Sequence, residues 1–139
     1  MTGTASGTAS EETELLELED LVVLMRRLGA GPVRDVGLLE AACARSRASV
    51  FGADAYPTLA GKAAALLHSI VANDALVDGN ERLGWLATAV FLDVNGWDVM
   101  LDDESAFRLV MDVAEGTLDV EAMAGILEAA LSPTPTPEP

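Results

Sequence analysis

The sequence has little positive charge, a single cysteine and few aromatic residues. Its 139 residues include 8 Lys and Arg against 23 Asp and Glu, giving a formal net charge of -15, and such a field opposes binding to a nucleic-acid backbone. The single cysteine, Cys43, excludes an internal disulfide, and with one histidine there is no Cys/His cluster to supply zinc ligands. We therefore expect a cytoplasmic protein that does not bind nucleic acid.

A basic leader and a long apolar run are also absent. No Lys or Arg precedes Arg26 and no apolar stretch precedes Leu15, so a secretory signal is not expected. The longest apolar run, residues 83–92, is interrupted by Gly84 and Thr88 and falls well short of the roughly 20 residues that cross a bilayer. We expect no association with a membrane.

The two ends of the chain differ in composition from its centre. Residues 1–14 begin with small residues and become acidic, and residues 132–139 alternate with proline, so both ends are predicted to be disordered. The acidic block, residues 11–20, is interpreted as a solvated leader into the first helix, with a docking strip for a basic partner as the alternative. Residues 15–131 are predicted to form one domain.

Between these ends the apolar residues have mostly helical spacing. Leu21, Leu24, Met25 and Leu28 form one stripe that stops at Gly29. Further helices are predicted near residues 36–46, 58–72, 79–95, 103–115 and 119–130. Alanine-rich segments allow helix axes to approach closely. The prediction is an all-α, compact bundle of about six helices, with residues 48–56 as an extended flap or an irregular loop.

One polar, glycine-containing stretch joins two strongly apolar helices. It reads Asn73-Asp74-Ala75-Leu76-Val77-Asp78-Gly79-Asn80-Glu81-Arg82. The next helix is predicted to begin at Asp78, where Gly79 and Asn80 would expose backbone N–H groups that attract anions. The guanidinium of Arg82 could make a bidentate contact with a phosphate, and Asp78 could hold Mg²⁺ between carboxylate and phosphate oxygens. The stretch therefore suits a nucleotide phosphate.

This stretch resembles the motif of the Doc (death-on-curing) branch of the Fic superfamily, His-Pro-Phe-x-Asp/Glu-Gly-Asn-x-Arg. The similarity in order and spacing extends over roughly residues 18–130 and includes Gly37-Leu38-Leu39-Glu40 and residues 62–68, 83–87 and 91–96. The resemblance implies a small helical bundle with a short β-hairpin flap beside the motif. It also implies a bacterial toxin of a toxin-antitoxin pair, with a Phd-like antitoxin as a partner.

The resemblance also carries expectations about chemistry. Doc proteins phosphorylate elongation factor Tu, and other Fic proteins transfer AMP or related groups from nucleotides to protein hydroxyls. The implied cofactors are Mg²⁺ and a nucleoside triphosphate, ATP first, and the implied substrate is a protein such as elongation factor Tu. Carried over position by position, the resemblance assigns Asp74 and Arg82 to catalysis, Asp78 to the metal, and Asp78, Gly79, Asn80, Glu81 and Arg82 to the cofactor.

Two positions depart from the motif of the family. Asp74 occupies the position of the catalytic His, and Glu81 that of the Lys in typical Doc motifs. Aspartate is the weaker base at neutral pH, and loss of a general base typically removes on the order of 100 to 10,000-fold of rate. Two main functions therefore stay open, a transferase with Asp74 as an impaired or repurposed base and a catalytically silent Fic-fold module that binds protein. Altered chemistry on a small molecule is a third alternative, which the sequence neither supports nor excludes.

Several candidate residues have structural interpretations as well. Asp78-x-x-Glu81 has the spacing of a helix capping box. His68 is expected to be packed or hydrogen bonded on its helix, and Arg45 to be solvated or ion-paired. Trp85 is expected to pack in the core or at its rim, where it could border a pocket.

Overall fold

Six helices and four short strands make up the part of the chain that the structure, a computed structural model, describes, residues 13–135. The helices are α1 (Leu18–Leu28), α2 (Val36–Ser46), α3 (Leu59–Asn73), α4 (Asn80–Val94), α5 (Asp103–Ala114) and α6 (Val120–Ala130). The strands are β1 (Ser49–Val50), β2 (Ala53–Asp54), β3 (Trp97–Val99) and β4 (Leu131–Pro133). The predicted bundle of six helices with a short hairpin is confirmed. Within residues 13–135, no helix has the length and apolarity to span a membrane.

Local capping signals set most of the helix ends. The side chains of Asp35, Asp102 and Asp119 each accept a hydrogen bond from a backbone N–H in the first turn of α2, α5 and α6, which satisfies a donor that the helix cannot. Thr58 does the same for α3. Gly29 ends α1 at a φ of 67°, in the left-handed region that glycine adopts without strain.

The centre of the bundle is α3, whose residues from Leu59 to Val71 are buried apart from His68. It packs against α2, α4, α5 and α6. A side chain at Gly84 on α4 would meet Val71 Cγ2 at 2.7 Å, so the two helices approach at a distance that only glycine allows. The close approach therefore depends on Gly84, whereas the prediction attributed close packing of the helices to their alanines.

Residues 49–54 form the hairpin flap that the resemblance implies. Ser49 pairs with Asp54 in the two-stranded sheet, and the exposed residues Phe51 and Gly52 form the turn at positive φ. Lys62 on α3 ties the hairpin to the end of α2. Its Nζ donates to the carbonyl oxygen of Ser46 at 3.1 Å and to Asp54 Oδ2 at 3.3 Å. Its side chain is 5% exposed.

The last described residues pair with the segment that follows α4. β4 runs antiparallel to β3, with Val99 opposite Leu131 and Trp97 opposite Pro133. The predicted disordered tail from residue 132 is therefore wrong for residues 132 and 133, because the buried Leu131 and the ladder hydrogen bonds extend the ordered chain past α6. Residues 1–12 and 136–139, also predicted to be disordered, lie outside the described residues.

Candidate functional site

The predicted phosphate site is the loop between α3 and α4, residues 74–79. It borders an open cavity of about 460 Å³, here called the loop cavity. The residues that line it include Arg34, Asp74, Asp78, Gly79, Asn80 and Glu81. The structure therefore brings five of the six predicted site residues to one cavity, and Arg82 is the exception.

A backbone ladder holds this loop against the connection between α1 and α2. Val33 and Leu76 form an antiparallel bridge. Four backbone hydrogen bonds surround that bridge. The N–H of Gly31 donates to the Asp78 carbonyl at 2.8 Å, and the N–H of Val77 donates to the Pro32 carbonyl at 2.9 Å. The N–H groups of Arg34 and Asp35 both donate to the Ala75 carbonyl, at 2.7 and 3.0 Å. Segments 31–35 and 75–78 thus satisfy each other's polar groups, which explains how a loop with buried residues is stable.

Asn80 closes the loop from the other side. It is the first residue of α4 and is 6% exposed. Its Oδ1 accepts from the Leu76 N–H at 2.9 Å, and its Nδ2 donates to the Leu76 carbonyl at 3.0 Å. Because these bonds engage the side-chain amide within the loop, the predicted contact of Asn80 with a cofactor would come from its backbone N–H.

The N-terminus of α4 has no side-chain cap. Its N-cap residue is Gly79, at a φ of 93°. At the N-termini of α2, α3, α5 and α6 the side chain of the N-cap residue accepts a hydrogen bond from the first turn, and in α1 the N–H of Glu17 donates to Asp20 Oδ2 at 2.8 Å. The capping box that Asp78-x-x-Glu81 suggested is wrong, because Gly79 takes the N-cap position. The first N–H groups of α4 are left for an anion.

Glycine is required at position 79 for a second reason. A Cβ added there would lie 2.5 Å from the Cβ of Ala30 and 3.0 Å from Arg82 Nη2. Contacts of that length force the neighbouring backbone to move, and residues with side chains also avoid this φ. The open N-terminus of α4 therefore depends on Gly79.

The two residues predicted to be catalytic line different cavities. Asp74 is exposed and lines the loop cavity. The guanidinium of Arg82 donates to the Leu28 carbonyl at 3.2 Å, and its Nη2 lies 3.8 Å from Asp78 Oδ2. Arg82 lines a neighbouring apolar groove of about 500 Å³ with Trp85, and Glu81 lines both cavities. The prediction that Trp85 could border a pocket is confirmed.

The predicted metal ligand is a single exposed carboxylate. The side chain of Asp78 is 83% exposed, and residues 13–135 contain no group of three or more His, Cys, Asp or Glu side chains placed to hold a metal. Such a position does not suit a metal held only by protein. It does suit Mg²⁺, which commonly takes one or two carboxylates together with phosphate oxygens and water.

His68 and Arg45 lie away from this chemistry. Arg45 donates through Nε to Tyr56 Oη at 2.9 Å and through Nη1 to Ser69 Oγ at 3.1 Å, and Nη1 also lies 2.9 Å from His68 Nδ1. Burial and the nearby Arg45 lower the pKa of His68. His68 is hydrogen bonded as expected. Arg45 is wrongly predicted to be solvated or ion-paired, because it links α2 to α3 and to Tyr56, which follows the flap.

Arg34 is the residue at the loop cavity that the sequence analysis missed. Its Nη2 donates to the carbonyl of Asp74 and lies 3.4 Å from the carbonyl of Asn73. The two positions are 40 residues apart, and no spacing in the sequence connects them. The only local signal is the pair Arg34-Asp35 directly before α2.

Comparison with known proteins bears on the same loop. The model of the Fic/DOC family matches residues 10–92, which is more than half of the chain and contains the whole stretch from Asn73 to Arg82. The chain belongs to the Fic/DOC family. This Fic/DOC chain is also 44% identical over 119 residues to the protein named Toxin Doc from Mycolicibacterium smegmatis (strain ATCC 700084 / mc(2)155), covering 83% of this chain and 92% of that protein.

Proposed function

We propose that this Fic/DOC protein is the toxin of a toxin-antitoxin pair. In this proposal it binds the phosphates of a Mg-nucleotide in the loop cavity and transfers a phosphate or a nucleotidyl group to a protein hydroxyl. The observation that carries the proposal is the N-terminus of α4, which lacks a side-chain cap at Gly79 and opens onto that cavity. The similarity to Toxin Doc supports the role of toxin.

The chain offers two kinds of contact to a nucleotide. The first N–H groups of α4, together with the positive end of the helix dipole, would bind phosphate oxygens. The exposed carboxylate of Asp78 would be the protein ligand of Mg²⁺. The ion, when bound, offsets negative charge on the phosphates. The fit rests on the N–H groups that no side chain caps and on the absence of a Cβ at Gly79.

Asp74 and Arg82 would act on the transfer itself. Asp74 would accept the proton of the protein hydroxyl as its oxygen bonds to phosphorus and the leaving group departs, which is the nucleoside diphosphate in phosphate transfer and pyrophosphate in nucleotidyl transfer. A carboxylate does this less effectively than an imidazole at neutral pH. Arg82, whose guanidinium lies beside Asp78, would add positive charge near the phosphates. We therefore expect slower turnover than in a relative with histidine at this position.

A catalytically silent module is the second candidate function. Three carboxylates, those of Asp74, Asp78 and Glu81, line the loop cavity. Without a cation they repel phosphate, so a chain that no longer binds nucleotides would have just such a lining. Its function would then reside in the surfaces that contact a protein.

The proposal includes protein partners. A Phd-like antitoxin would neutralise the toxin, and a protein such as elongation factor Tu would be the acceptor; the similarity to Toxin Doc supports the first, and the second rests on the family resemblance alone. Expression of the chain with and without its candidate antitoxin, followed by growth, tests the pairing. The cytoplasmic location and the lack of nucleic-acid binding stay predictions.

Calorimetric titration of Mg-ATP, and then of Mg-UTP, Mg-GTP and Mg-CTP, tests the nucleotide site. The protein is compared with its Asp74→His/Glu81→Lys double variant, which restores the motif residues of the family. Comparable binding to both supports the transferase. Binding only to the double variant supports the silent module. An Asp93→His/Glu115→Lys variant makes the same charge change at two exposed positions outside the loop cavity and controls for net charge.

A further inference from the structure

We propose that Arg34 is a positioning residue of the loop cavity. Its side chain caps the C-terminus of α3 by donating to the carbonyls there, and it holds Asp74 in the backbone conformation in which that residue lines the cavity. The effect on loop conformation stands by itself, whereas the consequence for nucleotide binding rests on the function proposed above. The proposal comes from the contacts that Arg34 makes with three consecutive residues, Asn73, Asp74 and Ala75.

The C-terminus of α3 is unlike those of the other described helices. In α1, α2, α4, α5 and α6, the N–H of the C-cap residue donates to a carbonyl of the last turn. Among residues 13–135 the C-cap N–H of α3, that of Asp74, has no such bond. The last carbonyls of a helix need donors from outside the helix, and the Arg34 guanidinium supplies them to Asn73 and Asp74.

Asp74 adopts a backbone conformation that needs support. Its φ is 52° and its ψ is 52°, in the left-handed region that residues with a Cβ seldom occupy, although aspartate tolerates it better than most. The backbone N–H of Arg34 also donates to the Ala75 carbonyl at 2.7 Å. One residue therefore binds the carbonyls at 73, 74 and 75, which span the turn, and these bonds select the left-handed conformation.

Arg34 also changes the charge of the cavity. The lining contains three carboxylates and the carbonyl end of α3, all negative, and Arg34 is the one Lys or Arg side chain that lines it in the described part of the chain. If Arg34 is replaced by an uncharged residue, both the orientation of position 74 and the potential at the α4 N-terminus become less favourable for phosphate.

The first experiment measures loop conformation without any nucleotide. Backbone amide NMR spectra are compared for the protein, Arg34→Met, Arg34→Lys and the control Arg47→Met, which removes an exposed arginine paired with Glu17. We expect Arg34→Met to shift and broaden the amides of residues 73–79, and Arg34→Lys to return most of them, since an ammonium can still donate to a carbonyl. If Arg34→Met leaves these amides as in the parent, the proposal is overturned.

A second variant separates positioning from a general loss of folding. Glycine adopts the left-handed conformation without support, so in an Asp74→Gly background the loop needs Arg34 less. We expect the shifts caused by Arg34→Met at residues 75–79 to be about twofold smaller in that background. Shifts of equal size in both backgrounds would contradict a role in holding position 74.

Calorimetry with Mg-ATP then tests the consequence for binding. If the parent binds Mg-ATP, Arg34→Met should weaken binding by about tenfold, because it removes both the support of position 74 and a positive charge from the cavity. Arg34→Lys should weaken binding by about threefold and Arg47→Met by less than about twofold. Equal binding by parent and Arg34→Met would overturn the charge role. If the parent binds no Mg-ATP, the proposed function fails, and the NMR comparison still decides whether Arg34 positions the loop.

Discussion

The side chain of Asn80 pairs with both backbone polar groups of Leu76, accepting from its N–H at 2.9 Å and donating to its carbonyl at 3.0 Å. Both residues are buried. The asparagine of the motif therefore fixes the loop that precedes its own helix, and the loop in turn places Asp78 and Gly79. The motif asparagine is thus a structural residue of the loop as well as a predicted ligand.

Replacing Asn80 should loosen the loop and destabilise the fold. Asn80→Ala removes both bonds and leaves the buried N–H and carbonyl of Leu76 without partners, which costs about 1–3 kcal/mol. Urea unfolding measures the loss. Asn73→Ala, at an exposed position whose contact with Arg34 uses the backbone, is the control and should change stability by less than about 0.5 kcal/mol. Equal effects of the two variants would contradict this role of Asn80.

Two glycines with nearly equal φ allow steric overlap to be separated from backbone strain. Gly79 has a φ of 93° and Gly96 a φ of 92°, yet an added Cβ at Gly96 meets nothing within 4 Å, whereas at Gly79 it lies 2.5 Å from Ala30. Both alanine variants should lose about 1–2 kcal/mol from the positive φ, and Gly79→Ala should lose at least about 1 kcal/mol more from the overlap. The difference is measured by urea unfolding.

If Gly79→Ala folds, its affinity for Mg-nucleotide should fall as well, because the backbone at the N-terminus of α4 has to move. Gly96→Ala should bind as the parent does. A Gly79→Ala variant no less stable than Gly96→Ala would show that Ala30 moves aside without cost.

The only histidine should titrate below its usual range. Burial and the charge of Arg45 lower the pKa of His68 from 6.5, so its ring signal in NMR should titrate with a midpoint below that value. Arg45→Met should raise the midpoint because it removes the charge, while Arg47→Met should not move it. A midpoint unaffected by Arg45→Met would contradict the contact between His68 and Arg45.

The same shift gives stability a defined pH dependence. In the unfolded chain the imidazole of His68 binds a proton near pH 6.5, and in the folded chain it does so only at a lower pH. The contribution of His68 is therefore fully present above pH 6.5 and is lost as the pH falls through the window between the two pKa values. His68→Gln should lack this component, which a comparison of urea unfolding at pH 7.5 and at about pH 5 would show.

The hairpin flap should depend on the bond between Lys62 and Asp54. Asp54→Ala leaves the ammonium of Lys62, 5% exposed, with the carbonyl of Ser46 alone, and we expect a loss of about 1 kcal/mol. In a Lys62→Met background the same change should cost almost nothing, and Asp93→Ala is the exposed control. Chymotrypsin should cut after the fully exposed Phe51 faster in Asp54→Ala, and equal rates would contradict the tether.

Local rules predicted the helices well. The apolar spacing placed the end of α1 before Gly29 and placed the other five helices to within one residue at both ends. The uncapped N-terminus of α4 was also predicted, because Gly79 and Asn80 were expected to expose the first N–H groups of the helix. The capping box failed because a sequence spacing does not show which residue takes the N-cap position.

Contacts between residues far apart in the chain could not be predicted from the sequence. β4 pairs with a strand that lies more than 30 residues earlier in the chain, and its proline-rich composition indicated disorder. Arg34 reaches Asp74 only because segments 31–35 and 75–78 run side by side, and apolar periodicity carries no signal for that ladder. The misjudged Arg45 has the same cause, since its partners lie on α3 and beyond the flap.

The turn after α4 holds both ends of the described chain. Asn95 exchanges two hydrogen bonds with the backbone of Glu14, and the N–H of Thr134 donates to the carbonyl of Gly96 at 2.9 Å. A helix of 15 residues such as α4 is about 22 Å long, so these ends lie at the opposite end of α4 from the loop cavity. A circular permutant that joins them and opens the chain at Gly52 should therefore keep the site intact.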